Sequence, residues 1–241
     1  MIWLRSLAFN VFFYVNIVLW LILLIPFGLL PSATLWRLIG VWSWLNAFML
    51  KHLAGIEVEF RGFENLPKGA VIIASKHQSA WETVSLLHVF DRPIFIMKRE
   101  LTWIPLFGWY LTRLGMIPVD RGKGHSALRD MVKRAEVVAA TGRQILIYPE
   151  GTRRAPGAEP AYKFGVAQLY RQLGLPCVPV ALNSGLFWPR RGFLRRPGRI
   201  VVECLAPIPP GLERDAFLKT LQDRVETASD RLRQETLALR S

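Results

Sequence analysis

The stretch SKHQSAWETV, Ser75–Val84, places a histidine and a glutamate where they can share one reaction. His77 can take up a proton, and Glu82 can orient the imidazole and stabilise its charged form. On a continuous helix five residues subtend about 140°. The pair therefore meets only if His77 lies in a loop and Glu82 in the first turn of the helix that follows, where the helix N-terminus favours an ionised carboxylate. That is the His–acid half of a triad, with the nucleophile absent. A surface histidine beside a helix-capping glutamate has the same spacing, so the rest of the chain must decide.

Protein nucleophiles are poorly represented. Ser79 is too close in sequence to His77 for relaxed attack. Cys177 and Cys204 sit in β-branched, strand-like runs. The chain has no Gly-x-Ser-x-Gly elbow, no Walker loop and no His-Glu-x-x-His. His52, His88 and His125 lack metal-ligand spacing, so no metal site is expected. The base is then expected to act on a hydroxyl that arrives with the substrate. A second cluster, YPEGTRR (Tyr148–Arg154), suggests what that substrate carries. Gly151 lets backbone approach a ligand, Thr152 can donate a hydrogen bond, and Arg153 can fork onto a phosphate. VDRGKG (Val119–Gly124) adds Arg121 and Lys123. Glu150 would repel a phosphate, so it is assigned to positioning an arginine.

These residues need a common frame. Strands are expected at Ala70–Ser75, Pro93–Lys98, Met116–Val119, Gln144–Pro149, Cys177–Leu182 and Arg199–Leu205. Helices are expected at 81–90, 103–115, 126–140, 163–173 and 213–239. Apolar strands alternating with helices predict an α/β fold with a mostly parallel central sheet flanked by helices. In such sheets ligands bind beyond the carboxyl ends of the strands. Those ends deliver His77, Lys98, Asp120 with Arg121, and Glu150 to Arg153.

Composition adds a surface. Lys and Arg number 31 against 18 Asp and Glu, a net charge of +13 in 241 residues. Such a balance seeks polyanions; no nucleic-acid-binding motif is recognisable, which leaves anionic lipid or a phosphorylated substrate. Two cysteines make a disulfide framework unlikely to be the scaffold and suit a reducing compartment. Leu7–Trp36 carries no charge, and a span needs about 20 apolar residues. Trp3, Trp20, Trp36, Trp42 and Trp44 cluster there, as an interfacial anchor requires. Residues 1–54 are therefore expected to form a membrane-anchoring helical segment, either one span or a hairpin dipping into one leaflet, with an α/β domain over residues 55–241. FWPRRGFLRRPGR (Phe187–Arg199) interleaves aromatics with arginines and suits anionic headgroups or an acidic carrier protein.

With these residues in place, the chain resembles the glycerolipid acyltransferases, in particular the bacterial 1-acyl-sn-glycerol-3-phosphate acyltransferases. HQSAWE matches the family's His-x4-Asp block with Glu82 in place of Asp; GMIPVDR, PEGTR and CVPVAL match three further blocks in order between Gly55 and Leu205. The resemblance implies that His77, held by Glu82, deprotonates the 2-hydroxyl of lysophosphatidic acid. That oxygen attacks acyl-CoA or an acyl-carrier protein thioester, without an acyl-enzyme and without a cofactor. Arg121, Glu150, Gly151 and Arg153 would correspond to the family's acceptor-phosphate block, with Lys98 and Thr152 as further substrate-binding residues. It also implies a bacterial inner-membrane enzyme with its catalytic domain on the cytoplasmic face. Arg154 stands where a serine often follows the third block. Rival readings are another lyso-lipid acceptor such as lyso-ornithine lipid, a membrane thioesterase in which water replaces the hydroxyl, or a non-enzymatic nucleic-acid or membrane-binding protein suggested by the net charge of +13.

Overall fold

A computed structural model describes residues 1–29 and 31–239; Leu30, inside the charge-free run, and Arg240 and Ser241 lie outside that description. The apolar runs become β1 (Ile56–Arg61), β2 (Ile72–Ser75), β3 (Ile94–Lys98), β4 (Ile117–Val119), β5 (Ile145–Ile147), β6 (Cys177–Leu182) and β7 (Gly198–Cys204). Among the described residues they form one sheet in the order β1-β7-β6-β2-β5-β3-β4. All its pairings are parallel except β6 with β7. Every residue of β2, β5 and β6 is buried, because helices cover both faces, and this is why these strands read as unbroken apolar runs.

The helices are α1 (Ile2–Leu23), α2 (Ser32–Met49), α3 (Trp81–Val89), α4 (Phe107–Arg113), α5 (Gly124–Ala140), α6 (Gly165–Leu173) and α7 (Arg214–Ala238). Two elements depart from the sequence expectation. Strand β1 was not foreseen: IEVEFR alternates apolar with charged residues, and its partner β7 lies far along the chain, with Ile56 opposite Gly198. The apolar segment 103–115 is not one helix. A 3-10 turn over Arg99–Trp103 is followed by Pro105 and by Leu106 at φ 60°, and only then does α4 begin. Pro105 has no N–H to donate, which fits the late start.

The N-terminal helices pack on the α/β unit. Phe9, Phe13, Leu35, Trp36 and Ile39 belong to the same apolar core as Ile72, Ile73 and Leu146. Helix α1 turns Ser6, Asn10 and Asn16 inward with Phe9 and Phe13. Outward it exposes Trp3, Leu7, Val11, Tyr14, Val15, Val18, Leu19 and Ile22. That is the reverse of a water-facing amphipathic helix. Among the described residues α1 is the one helix long and apolar enough to cross a membrane by length and composition, with a mean hydropathy of 2.1. Helix α2 continues through a π turn, Leu50–Ala54, and stops at Gly55, whose φ of 70° suits glycine.

Candidate active site

Parallel strands β2, β5, β3 and β4 are successive neighbours in the sheet, so their carboxyl ends form one row, with β6 on the far side of β2. Strands lie about 4.8 Å apart, so the row from β2 to β4 covers about 14 Å. The row carries, in order, His77, the Tyr148–Arg153 turn, Lys98 and Arg121.

His77 leaves β2 in a loop, and Glu82 lies in the first turn of α3. Imidazole Nδ1 is 3.3 Å from Glu82 Oε2, and the carboxylate is fully buried. This is an ion-pair distance without hydrogen-bond alignment, a contact of the kind that tightens when substrate closes the site. Glu82 is fixed independently of His77. Its oxygens accept the backbone N–H groups of Gln78 at 3.2 Å and Ser79 at 2.9 and 3.0 Å. They also accept the hydroxyl of Ser184, just beyond β6. Gly185 N–H donates to Gln78 Oε1 at 3.0 Å, tying the same loop to the β6 end. The ring of Tyr148 stacks on the imidazole, centroids 3.9 Å apart and planes 18° off parallel. With Nδ1 turned to Glu82, Nε2 is the ring nitrogen left for proton transfer.

No hydroxyl or thiol among the described residues hydrogen-bonds to that imidazole. The Ser79 hydroxyl instead accepts the N–H of Trp81 at 3.1 Å, starting α3. Cys177 and Cys204 are buried, and burial pushes both thiols up, Cys204 to about 12, so neither is a thiolate at neutral pH.

Glu150 is buried, and its closest partner is Lys76, whose Nζ lies 2.9 Å from Oε1. The arginine expected from sequence is also present but farther off, with Arg154 Nε 4.0 Å from Oε1. Burial raises the Glu150 carboxyl above its usual range, offset in part by Lys76. Its other oxygen faces the His77 N–H at 3.4 Å. Arg154 N–H donates to the His77 carbonyl at 2.8 Å, so both backbone groups of the base are tied to this turn. The Arg154 side chain donates to the Glu159 carbonyl at 2.8 Å. Gly151 has φ 65°, and a Cβ there would lie 3.7 Å from the Arg121 guanidinium carbon. Arg121 and the glycine turn, distant in sequence, are thus neighbours. Thr152 is exposed and Arg153 partly exposed beside them. Lys98 stands half-exposed at the end of β3, paired with Glu100 at 2.8 Å. Lys76, Ser184 and Tyr148 were not singled out from sequence. Tyr148 lies within the quoted turn; Lys76 and Ser184 carry no motif signal.

Residues 57–183 match the family model described as Acyltransferase, over half of the chain, and the chain belongs to that family. It is 38% identical over 161 residues to a 1-acyl-sn-glycerol-3-phosphate acyltransferase of Pseudomonas aeruginosa, covering 67% of this chain and 63% of that protein. It is 32% identical over 180 residues to the bovine 1-acyl-sn-glycerol-3-phosphate acyltransferase alpha (Bos taurus), covering 73% and 62%. The matches thus span under two thirds of these relatives' own lengths. The fold is similar to the crystal structure of the 1-acyl-sn-glycerophosphate (LPA) acyltransferase PlsC from Thermotoga maritima. The TM-score is 0.81 at 22% identity, over 97% of this chain and 98% of that one.

Proposed function

We propose that the protein transfers an acyl chain from acyl-CoA or acyl-carrier protein to the sn-2 hydroxyl of 1-acyl-glycerol-3-phosphate, making phosphatidic acid for phospholipid synthesis. One observation carries the reading: a histidine beside a buried glutamate has no protein nucleophile within hydrogen-bond reach among the described residues, and it stands beside a glycine turn flanked by arginines. The base then serves a hydroxyl on the substrate, and the arginines serve a phosphate on the same molecule. The names of the curated relatives support this reading.

His77 Nε2 takes the proton of the acceptor hydroxyl as its oxygen attacks the thioester carbonyl carbon. Glu82 stabilises the imidazolium that forms. The C–S bond breaks, the ester forms, and the imidazolium returns its proton to the thiolate that leaves. Arg121 and Arg153 hold the acceptor phosphate, and the bare backbone at Gly151 lets it approach. Lys98, further along the row, serves the anionic part of the donor or acceptor, and Thr152 adds a donor hydroxyl. Tyr148 covers one face of the imidazole and keeps water off it.

Residues 1–54 anchor the α/β unit of residues 55–241 in the bacterial inner membrane, with the site on the cytoplasmic face. Support comes from the apolar outward face of α1 and from the loop before β7. There Trp3 stacks on Phe193 at 5.4 Å, beside exposed Arg190, Arg191 and Arg196, an arrangement suited to anionic headgroups. Membrane lipid is then both surroundings and source of acceptor. The test is thiol release from an acyl thioester in detergent micelles, with and without lysophosphatidic acid, by the wild type and His77→Ala. Release that needs the acceptor and vanishes in the folded variant supports direct transfer. Release indifferent to the acceptor replaces it with thioester hydrolysis. Release that requires a different lyso-lipid moves the acceptor assignment to that lipid.

A further inference from the structure

Behind the catalytic loop lies a charged cluster that the proton-transfer scheme does not use. Lys76, the residue before the base, is buried, and its ammonium makes three hydrogen bonds. One goes to Glu150 Oε1 at 2.9 Å and two to Glu226, at 2.7 and 2.9 Å. Three donors meet three acceptors, which satisfies the ammonium. Glu226 lies on α7, outside the region matched by the family model, and it accepts the Tyr162 hydroxyl at 3.0 Å. Glu150 then passes the restraint to the His77 N–H. A chain of contacts therefore runs from the C-terminal helix through Lys76 and Glu150 to the backbone of the base.

We infer that Glu226 is a positioning residue: from α7 it fixes Lys76, and through Lys76 and Glu150 it sets the place of His77 relative to the glycine turn that receives the acceptor phosphate. The inference rests on the acyl-transfer reading above for its kinetic test, and on geometry alone for its second test. Glu226 is part-exposed and touches neither the base nor the phosphate turn. Its removal leaves the chemistry's own residues in place and loosens only their spacing, and small misplacements of reacting groups cost up to about 100-fold in rate.

The experiment compares wild type, Glu226→Ala, Glu226→Gln, Glu226→Asp, Lys76→Met and the Lys76→Met/Glu226→Ala double variant, each as the full chain in detergent micelles. The expected result is a kcat lowered about tenfold to 100-fold in Glu226→Ala with KM for both substrates nearly unchanged, partial recovery in Glu226→Asp, and a double variant no slower than Lys76→Met alone. In parallel, the rate at which diethyl pyrocarbonate modifies His77, read by peptide mass spectrometry, rises in Glu226→Ala. This second readout needs no substrate. If the wild type transfers no acyl chain to the acceptor, the reaction assignment falls while the modification rate still judges the positioning role. A Glu226→Ala protein that unfolds at a lower temperature yet keeps wild-type kcat and wild-type His77 reactivity overturns the inference, as does a double variant whose losses add. If Glu226→Ala does not fold, Glu226→Gln, which keeps the volume and loses the charge, is judged by the same two readouts.

Discussion

Replacing Lys76 by methionine tests how the buried charges of this site are held. The substitution keeps most of the side-chain volume and removes one ammonium that serves two carboxylates, Glu150 and Glu226. Glu226 is about one-fifth exposed and can turn to solvent; Glu150, at 1% exposure, cannot. Breaking a buried pair from one side costs about 3–5 kcal/mol. The structure also sets a ceiling, because Glu150 can escape by taking a proton. From an ordinary value of 4.5, protonating it costs about 3.4 kcal/mol at pH 7 and about 1.4 kcal/mol at pH 5.5. For a chain of this size each kcal/mol lowers Tm by about 2–4 °C. Lys76→Met should therefore unfold roughly 7–14 °C below the wild type at pH 7, and about 3–6 °C below it at pH 5.5. Differential scanning fluorimetry in detergent across this pH range measures both gaps. A gap of less than 2 °C at pH 7, or one that does not shrink on acidification, would refute the account of Glu150 as a buried charge neutralised by Lys76.

Other substitutions separate the remaining roles. Glu82→Gln puts an amide where Ser79 N–H, Ser184 O–H and His77 all need an acceptor; kcat should fall on the order of 10³–10⁴-fold with the fold retained, and circular dichroism beside the thiol assay checks both. Tyr148→Phe removes a buried hydroxyl that has no partner among the described residues; stability should rise by about 1 kcal/mol, and a drop in Tm would contradict it. Gly151→Ala forces a side chain to φ 65° beside Arg121; the strain costs about 1–2 kcal/mol, and KM for the phosphorylated acceptor should rise more than KM for the donor. Glu150→Gln reads the pH sense of that carboxyl. Its native-state value is raised, so the folded protein holds more protons than the unfolded one just above pH 4.5, and this group's stabilising share is lost as pH rises. The Tm of Glu150→Gln relative to wild type should climb from pH 4.5 towards 7; a flat difference would reverse the assigned direction.

Local sequence determined a good deal of this protein. Short continuous apolar runs at β2, β5 and β6, too brief for helices, suit strands covered on both faces, so the parallel sheet is foreshadowed in their composition. The five-residue step from His77 to Glu82 forces a loop followed by a helix start, and the chain builds that. The charge-free stretch foretells an apolar helical segment, and α1 supplies it. Tertiary structure decided what depends on strand order and on residues far apart in the chain. Strand β1 owes its place to β7, and nothing within IEVEFR names that partner. The 3-10 turn and late start of α4 depend on how the chain bends at Pro105 and Leu106, which apolar periodicity does not record. Sequence offered Glu150 only arginines, and the fold adds Lys76 as its closest partner, because β2 and β5 are hydrogen-bonded neighbours and Lys76 leaves one where Glu150 leaves the other. Ser184 reaches Glu82 because β6 flanks β2, and Glu226 reaches Lys76 because α7 packs on β6, the neighbour of β2. Single side chains carry the chemistry and are legible one at a time. The contacts that aim them come from the sheet order, which is a property of the whole chain.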